Sequence, residues 1–180
     1  MLFRSLCVDI AAFAKQGGEA SGVWPLAALD RLCSETHADA KPAAGDQIEW
    51  RATGEIRARR GAEPQIWLHL ACDARLGLVC QRCLQPVDTA VQAQRSFQFV
   101  AGEALAADID ADSEEDVLAL SRTLNLIELI EDELLLALPL VPRHPSCPQP
   151  LKPPQDAEPF DERANPFAVL GELKRKSLPN

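Results

Sequence analysis

Cysteines at positions 80 and 83, with Gln81 and Arg82 between them, set two thiols at a spacing that lets both bind one metal ion or close one disulfide. Much later in the chain His144 and Cys147 repeat the spacing as H-x-x-C. Together these four side chains are a full ligand set for a tetrahedral structural Zn2+ site, which takes Cys and His donors and keeps no open position. Two other readings compete with it. In one, Cys80 and Cys83 are buried thiols at a turn and His144 and Cys147 are unrelated loop residues. In the other, the chain is a thiol or zinc-dependent redox protein working through Cys80 and Cys83. Its flanking sequence argues against redox work, because it alternates as an antiparallel hairpin rather than running from a strand into a helix. Cys7, Cys33 and Cys72 read as small apolar residues.

The elements around these cysteines are set by periodicity. From Gln47 the period is two, with Ile48, Trp50, Ala52, Gly54, Ile56 and Ala58 on one side and Glu49, Arg51, Thr53, Glu55, Arg57 and Arg59 on the other, as in a half-exposed antiparallel strand. After Gly61 and Pro64 the even positions from Ile66 to Cys80 are apolar or thiol, which carries Cys80 onto the core side at the strand's end. Beyond Pro86 the apolar positions become odd: Val87, Val91, Ala93, Phe97 and Phe99. Three such strands read as an antiparallel meander with the cysteine pair in its second connection. Pro25 to Glu35 reads as a short helix. Asn125 caps a second helix over Leu126–Leu138, ended by Pro139, in which Glu128, Glu131 and Asp132 form the polar face. Glu133 breaks that pattern by falling inside the apolar arc, where a carboxylate needs a partner such as Arg82, a neighbour of the metal site or another molecule. Gly102 to Asp116 reads as a flexible acidic loop, and Val141 to Pro159 as a proline-rich surface segment carrying His144 and Cys147. Asn165-Pro166 starts a last short helix, with Phe167, Leu170 and Leu173 as its apolar stripe and Lys174-Arg175-Lys176 as its basic end. The expectation is an α+β fold: a mainly antiparallel sheet with a few packed helices as one domain over 1–160, then a tail over 161–180.

The chain has 180 residues and a formal net charge of -9, but its acidity is local. Residues 101–138 hold 11 Asp and Glu against one Arg, leaving 16 acids and 17 bases elsewhere. Cations that can meet phosphate or an acidic partner are Arg57, Arg59, Arg60, Arg82, Lys174, Arg175 and Lys176. Trp67 and His69 lie on the strand face opposite the leucine row, where they can stack on RNA bases or be covered by a packed helix. The acidic run can be a solvated spacer or a surface for basic proteins. No apolar run approaches the roughly 20 residues of a membrane span, and residues 1–15 lack the features of a signal peptide. A cytoplasmic location follows, with reduced thiols. No nucleophile–His–acid set, phosphate-cradling glycine loop or catalytic carboxylate pair can be assembled, so neither an enzyme nor a small-molecule substrate is expected.

Three stretches taken together carry a resemblance: CQRCLQPV at Cys80–Val87, LIELIEDELLLALPLVPRH at Leu126–His144 with Cys147 beyond it, and NPFAVLGELKRK at Asn165–Lys176. In their order and spacing the chain resembles the YceD-like family of bacterial proteins, described as large ribosomal RNA subunit accumulation proteins. The resemblance covers the last hundred residues, whereas the first forty-five share only general character. It implies a non-enzymatic part in accumulation of the large-subunit (23S) rRNA, hence in ribosome biogenesis. The implied partner is the ribosomal precursor, through its rRNA or an associated protein. Read from the residues themselves, Arg57, Arg59, Arg60, Arg82, Glu133, Phe167, Leu170, Lys174, Arg175 and Lys176 are the candidate contacts for such a partner, and zinc is the candidate cofactor of the Cys and His set.

Overall fold

In the computed structural model, which describes residues 6–148, the alternating stretches form long strands and almost everything else exists to cover one face of them. Strand β1 (Cys7–Val8) leads into helix α1 (Ile10–Lys15), then strand β2 (Glu19–Pro25) and helix α2 (Asp30–Ser34). The long meander follows as β3 (Gln47–Arg57), β4 (Gln65–Val79) and β5 (Pro86–Val100), and after it come helix α3 (Glu103–Asp110), β6 (Asp116–Ala119), β7 (Leu124–Asn125) and helix α4 (Leu126–Leu136). Five strands make one sheet in the order β2-β3-β4-β5-β6, antiparallel except for the parallel β5–β6 pair, while β1 and β7 pair separately.

Register explains why the parity changes between β4 and β5. Leu68 lies opposite Phe97 and Leu78 opposite Val87, so even positions of β4 share a face with odd positions of β5. Helices α1 and α4 pack on that face, and Ile10, Ile48, Leu70, Leu76, Ile130 and Leu134 are fully buried there. The fit at α1 is close enough to require glycine in the strand: a Cβ on Gly54 would lie 2.8 Å from the Ala14 Cα. Asp9 caps α1 by accepting the Ala12 N–H, and Asn125 caps α4 by accepting the Ile127 N–H, each satisfying a donor that the first helical turn leaves free.

The α+β class, the meander and the α4 helix are as expected, with three differences. The opening residues contain β2, which pairs along β3 and stacks Trp24 on Trp50 with ring centroids 4.6 Å apart. The helix expected over Pro25–Glu35 is interrupted at Leu29, whose φ of -102° and ψ of 84° separate a 3-10 turn at Leu26–Ala28 from α2. The acidic stretch is not simply a loop. Eight of its residues form α3, which buries Ala106, and the Asp110 carboxylate accepts the Val117 N–H at 2.9 Å, tying the helix to β6. A few well-placed apolar residues and one side-chain acceptor are enough to order a segment whose composition is that of a solvated spacer. The tail helix over Asn165–Lys176 lies outside the described residues.

Candidate metal centre

The β4–β5 hairpin delivers the first two cysteines and closes on itself in doing so. Val79 and Pro86 are the last register pair. Beyond them the Cys80 N–H donates to the Gln85 carbonyl at 3.0 Å and the Leu84 N–H to the Cys80 carbonyl at 2.9 Å. This tight turn puts Leu84 at φ 60°, a left-handed conformation that costs a side-chain-bearing residue free energy. The other two donors arrive after α4. Pro139 ends the helical run, and prolines at 142, 145 and 148 keep the return segment out of helix and strand, since proline fixes φ and removes a backbone donor. That segment is stitched to the turn by the Gln81 N–H, which donates to the Pro142 carbonyl at 2.9 Å.

Cys80, Cys83, His144 and Cys147 therefore converge, with their donor atoms all within 4.8 Å of one another. Cys80 Sγ lies 3.9 Å from Cys147 Sγ, and Cys83 Sγ lies 3.4 Å from His144 Nδ1. A tetrahedron with Zn–S near 2.3 Å and Zn–N near 2.0 Å has S···S and S···N edges of about 3.8 and 3.6 Å, so both distances fit donors of one ion. Cys80 and Cys83 are buried, while Cys147 is partly exposed. None of the cysteines is in a disulfide.

The electrostatics point the same way. Burial by itself raises the Cys80 thiol, but backbone N–H groups of His144, Arg82 and Cys83, with the His144 side chain, outweigh it and bring Cys80 down to about 5. Cys83 goes up instead, chiefly through burial, opposed by a backbone hydrogen bond at Gln85 and reinforced by the neighbouring Cys147 and Cys80 thiols. Three sulfurs this close cannot all ionise without a cation among them, and a divalent metal supplies that charge. Arg82 supplies part of it already: its Nε–H donates to Cys147 Sγ at 2.9 Å and its guanidinium to the His144 carbonyl at 3.2 Å. The arrangement is a closed Cys3His set able to hold a metal as a structural cross-link.

The other expected contact residues are dispersed. Arg57 lies at the opposite end of β4, where its guanidinium sits 4.2 Å over the buried Trp67 ring and its Nε bonds Glu55. His69, beside it, bonds Glu55 at 2.7 Å and Ser96 at 2.9 Å, so both its ring nitrogens are engaged within the sheet, and the Trp67 ring is buried. Arg59 and Arg60 are exposed in the β3–β4 connection. Glu133 is buried and meets Arg95 at 3.2 Å, not Arg82. Arg95 stands opposite Leu70 on the core face, so two charges that each break an apolar pattern answer one another, and the pair of breaks is the signal that could have found the contact. Phe167, Leu170, Lys174, Arg175 and Lys176 lie outside the described residues.

Two residues of consequence escaped the pattern. Glu131, placed on the polar face of α4 by its position, is buried. It accepts from the backbone N–H groups of Arg31 and Leu32 at 2.8 and 3.1 Å and from the Arg31 guanidinium at 2.9 Å. His37 contacts the cysteine turn itself. No local signal announces either, because both partners are remote in sequence.

Residues 68–174 match the model of the family described as "Large ribosomal RNA subunit accumulation protein YceD", a span containing all four converging residues. A curated protein of that name from Haemophilus influenzae is 35% identical over 104 residues, covering 55% of this chain and 60% of the relative. The chain thus aligns with less than two thirds of that relative's length. No solved structure matches. Among the described residues no helix is long and apolar enough to cross a membrane.

Proposed function

The chain belongs to the YceD family of large ribosomal RNA subunit accumulation proteins, and from that premise we propose that it is a non-enzymatic binding factor supporting accumulation of large-subunit rRNA. On this reading it acts in the cytoplasm on the ribosomal precursor, by binding the rRNA or a protein on it. Its Cys80, Cys83, His144 and Cys147 hold one structural zinc ion that locks the end of the β4–β5 hairpin to the segment after α4. The observation that carries the proposal is that the family match takes in the whole Cys3His cluster and runs on to Lys174. On this reading the matched part is a metal-tied scaffold followed by a sequence that runs to Lys174, the first residue of the basic cluster.

The redox alternative fits less well. A dithiol working by exchange needs two sulfurs and an approach path, whereas here two further donors from a distant segment close around the pair. As a binding protein, the chain would meet phosphate or an acidic surface through Arg59 and Arg60 and through Lys174, Arg175 and Lys176. Crosslinking in cells followed by sedimentation tests this. The chain should be recovered with large-subunit precursors, joined to their rRNA or to a protein on them, and charge reversal at Lys174, Arg175 and Lys176 should reduce recovery several-fold. Recovery only as free protein at the top of the gradient would contradict it.

A further inference from the structure

The residues before β3 pass directly over the cysteine turn. Thr36 forms an isolated bridge with Leu78, and the His37 N–H donates to the Gly77 carbonyl at 2.7 Å. The fit is tight, since a Cβ on Gly77 would fall 2.5 Å from the Ala40 Cβ. Held in this way, the His37 ring is only 14% exposed. Its Nδ1 accepts the Asp39 N–H at 3.0 Å, which assigns the ring proton to Nε2. Nε2 lies 3.1 Å from the Leu84 carbonyl and so donates to it.

Leu84 is the one described non-glycine residue with positive φ, and it directly follows the metal donor Cys83. A left-handed leucine, half exposed, persists only where its surroundings hold it. We infer that His37 is a positioning residue for the metal centre: by holding the Leu84 carbonyl, it keeps the strained turn in the conformation that presents Cys83 to the ion. The inference rests on the metal reading above. It also gives the segment before residue 68, outside the family match, a part in keeping the metal.

The test uses the full chain loaded with zinc, as wild type, His37→Ala, His37→Gln, Leu84→Gly and the His37→Ala, Leu84→Gly double variant. Zinc release to an excess of chromogenic chelator is followed, together with thermal melts of the metal-free proteins. Loss of this hydrogen bond should speed release from His37→Ala by several-fold to about tenfold. His37→Gln, which can still donate, should recover most of the difference, and the metal-free melts should coincide. Glycine adopts positive φ without strain, so on the Leu84→Gly background the His37→Ala effect should shrink to less than about twofold. Release from His37→Ala at the wild-type rate, an undiminished effect on the glycine background, or a metal-free His37→Ala protein that melts early would each overturn the inference. A wild-type chain that takes up no zinc would overturn the metal reading itself, a result distinct from all three.

Discussion

The two ends of the β4–β5 hairpin are built on opposite plans. At the far end, Glu55, Arg57, Trp67, His69 and Ser96 come from neighbouring positions on three adjacent strands and pair with one another through the ladder that already exists. At the cysteine end, the hairpin turn meets a segment about sixty residues away in sequence, and that segment has no regular structure of its own. The sheet positions the first group, but the second must be closed against the entropy of a long connection. A metal ion is a cross-link suited to that task. The comparison also separates two arginines of similar promise: Arg57 is absorbed by its own strand and ring, whereas Arg82 is committed to a thiol and a carbonyl of the returning segment.

Removing the metal should produce the largest effect and should confine it to one end. An ion present at about a thousand times its dissociation constant stabilises the fold by about 4 kcal/mol. Treatment with chelator should therefore lower the melting temperature and unprotect the amides of Cys80, Gln81 and Leu84 in hydrogen exchange. The amides of Leu68 and Phe97, at the other end, should keep their protection. Equal loss at both ends would break the comparison.

A middle-sized effect is expected from Arg82→Ala. With zinc bound, its hydrogen bond to the Cys147 sulfur would be charge-assisted, so zinc release should quicken about tenfold while the metal-free melt stays in place. An unchanged release rate would show the guanidinium to be a bystander.

The smallest effect belongs to the far end. Arg57→Ala removes an exposed cation over a ring and an exposed ion pair, together about 0.5–1 kcal/mol, and should leave zinc release untouched. The pH dependence there has a definite sign. The His69 hydrogen bond, opposed by burial and aided by Arg57, holds the Glu55 carboxyl below its ordinary range. A carboxylate depressed on folding contributes stability above its unfolded pKa and loses it as pH falls through the folded value. Glu55→Gln should therefore match wild type in strong acid and fall slightly below it toward neutral pH; a difference of the opposite sign, measured by thermal melts across that range, would reverse the assignment.

How much of this was legible depended on whether the partner lay near in sequence or followed a period. The meander and the core face of β4 follow from alternation alone, and the Cys80–Cys83 pair with His144–Cys147 was visible as two repeats of one spacing. Strand β2 was hidden because Trp24 alone marks its core side, where Ala20 and Gly22 are too small to show a period. Helix α3 was hidden because charge outweighs the few apolar residues that anchor it. The roles of Glu131 and His37 depend on backbone groups brought close by the tertiary fold, and no composition or period encodes those. Glu133 was the intermediate case: its break in the apolar arc was readable as a demand for a partner, yet only the register that puts Arg95 on the core face says which one.

The most direct test is X-ray absorption at the zinc edge, combined with metal analysis of the full chain purified under reducing conditions. The prediction is one zinc per chain, bound by three sulfurs at about 2.3 Å and one nitrogen at about 2.0–2.1 Å. That signal should fall away in a Cys83→Ser, Cys147→Ser variant. A chain without metal after reconstitution with zinc, or a zinc ion bound by oxygen donors and indifferent to those substitutions, would contradict it.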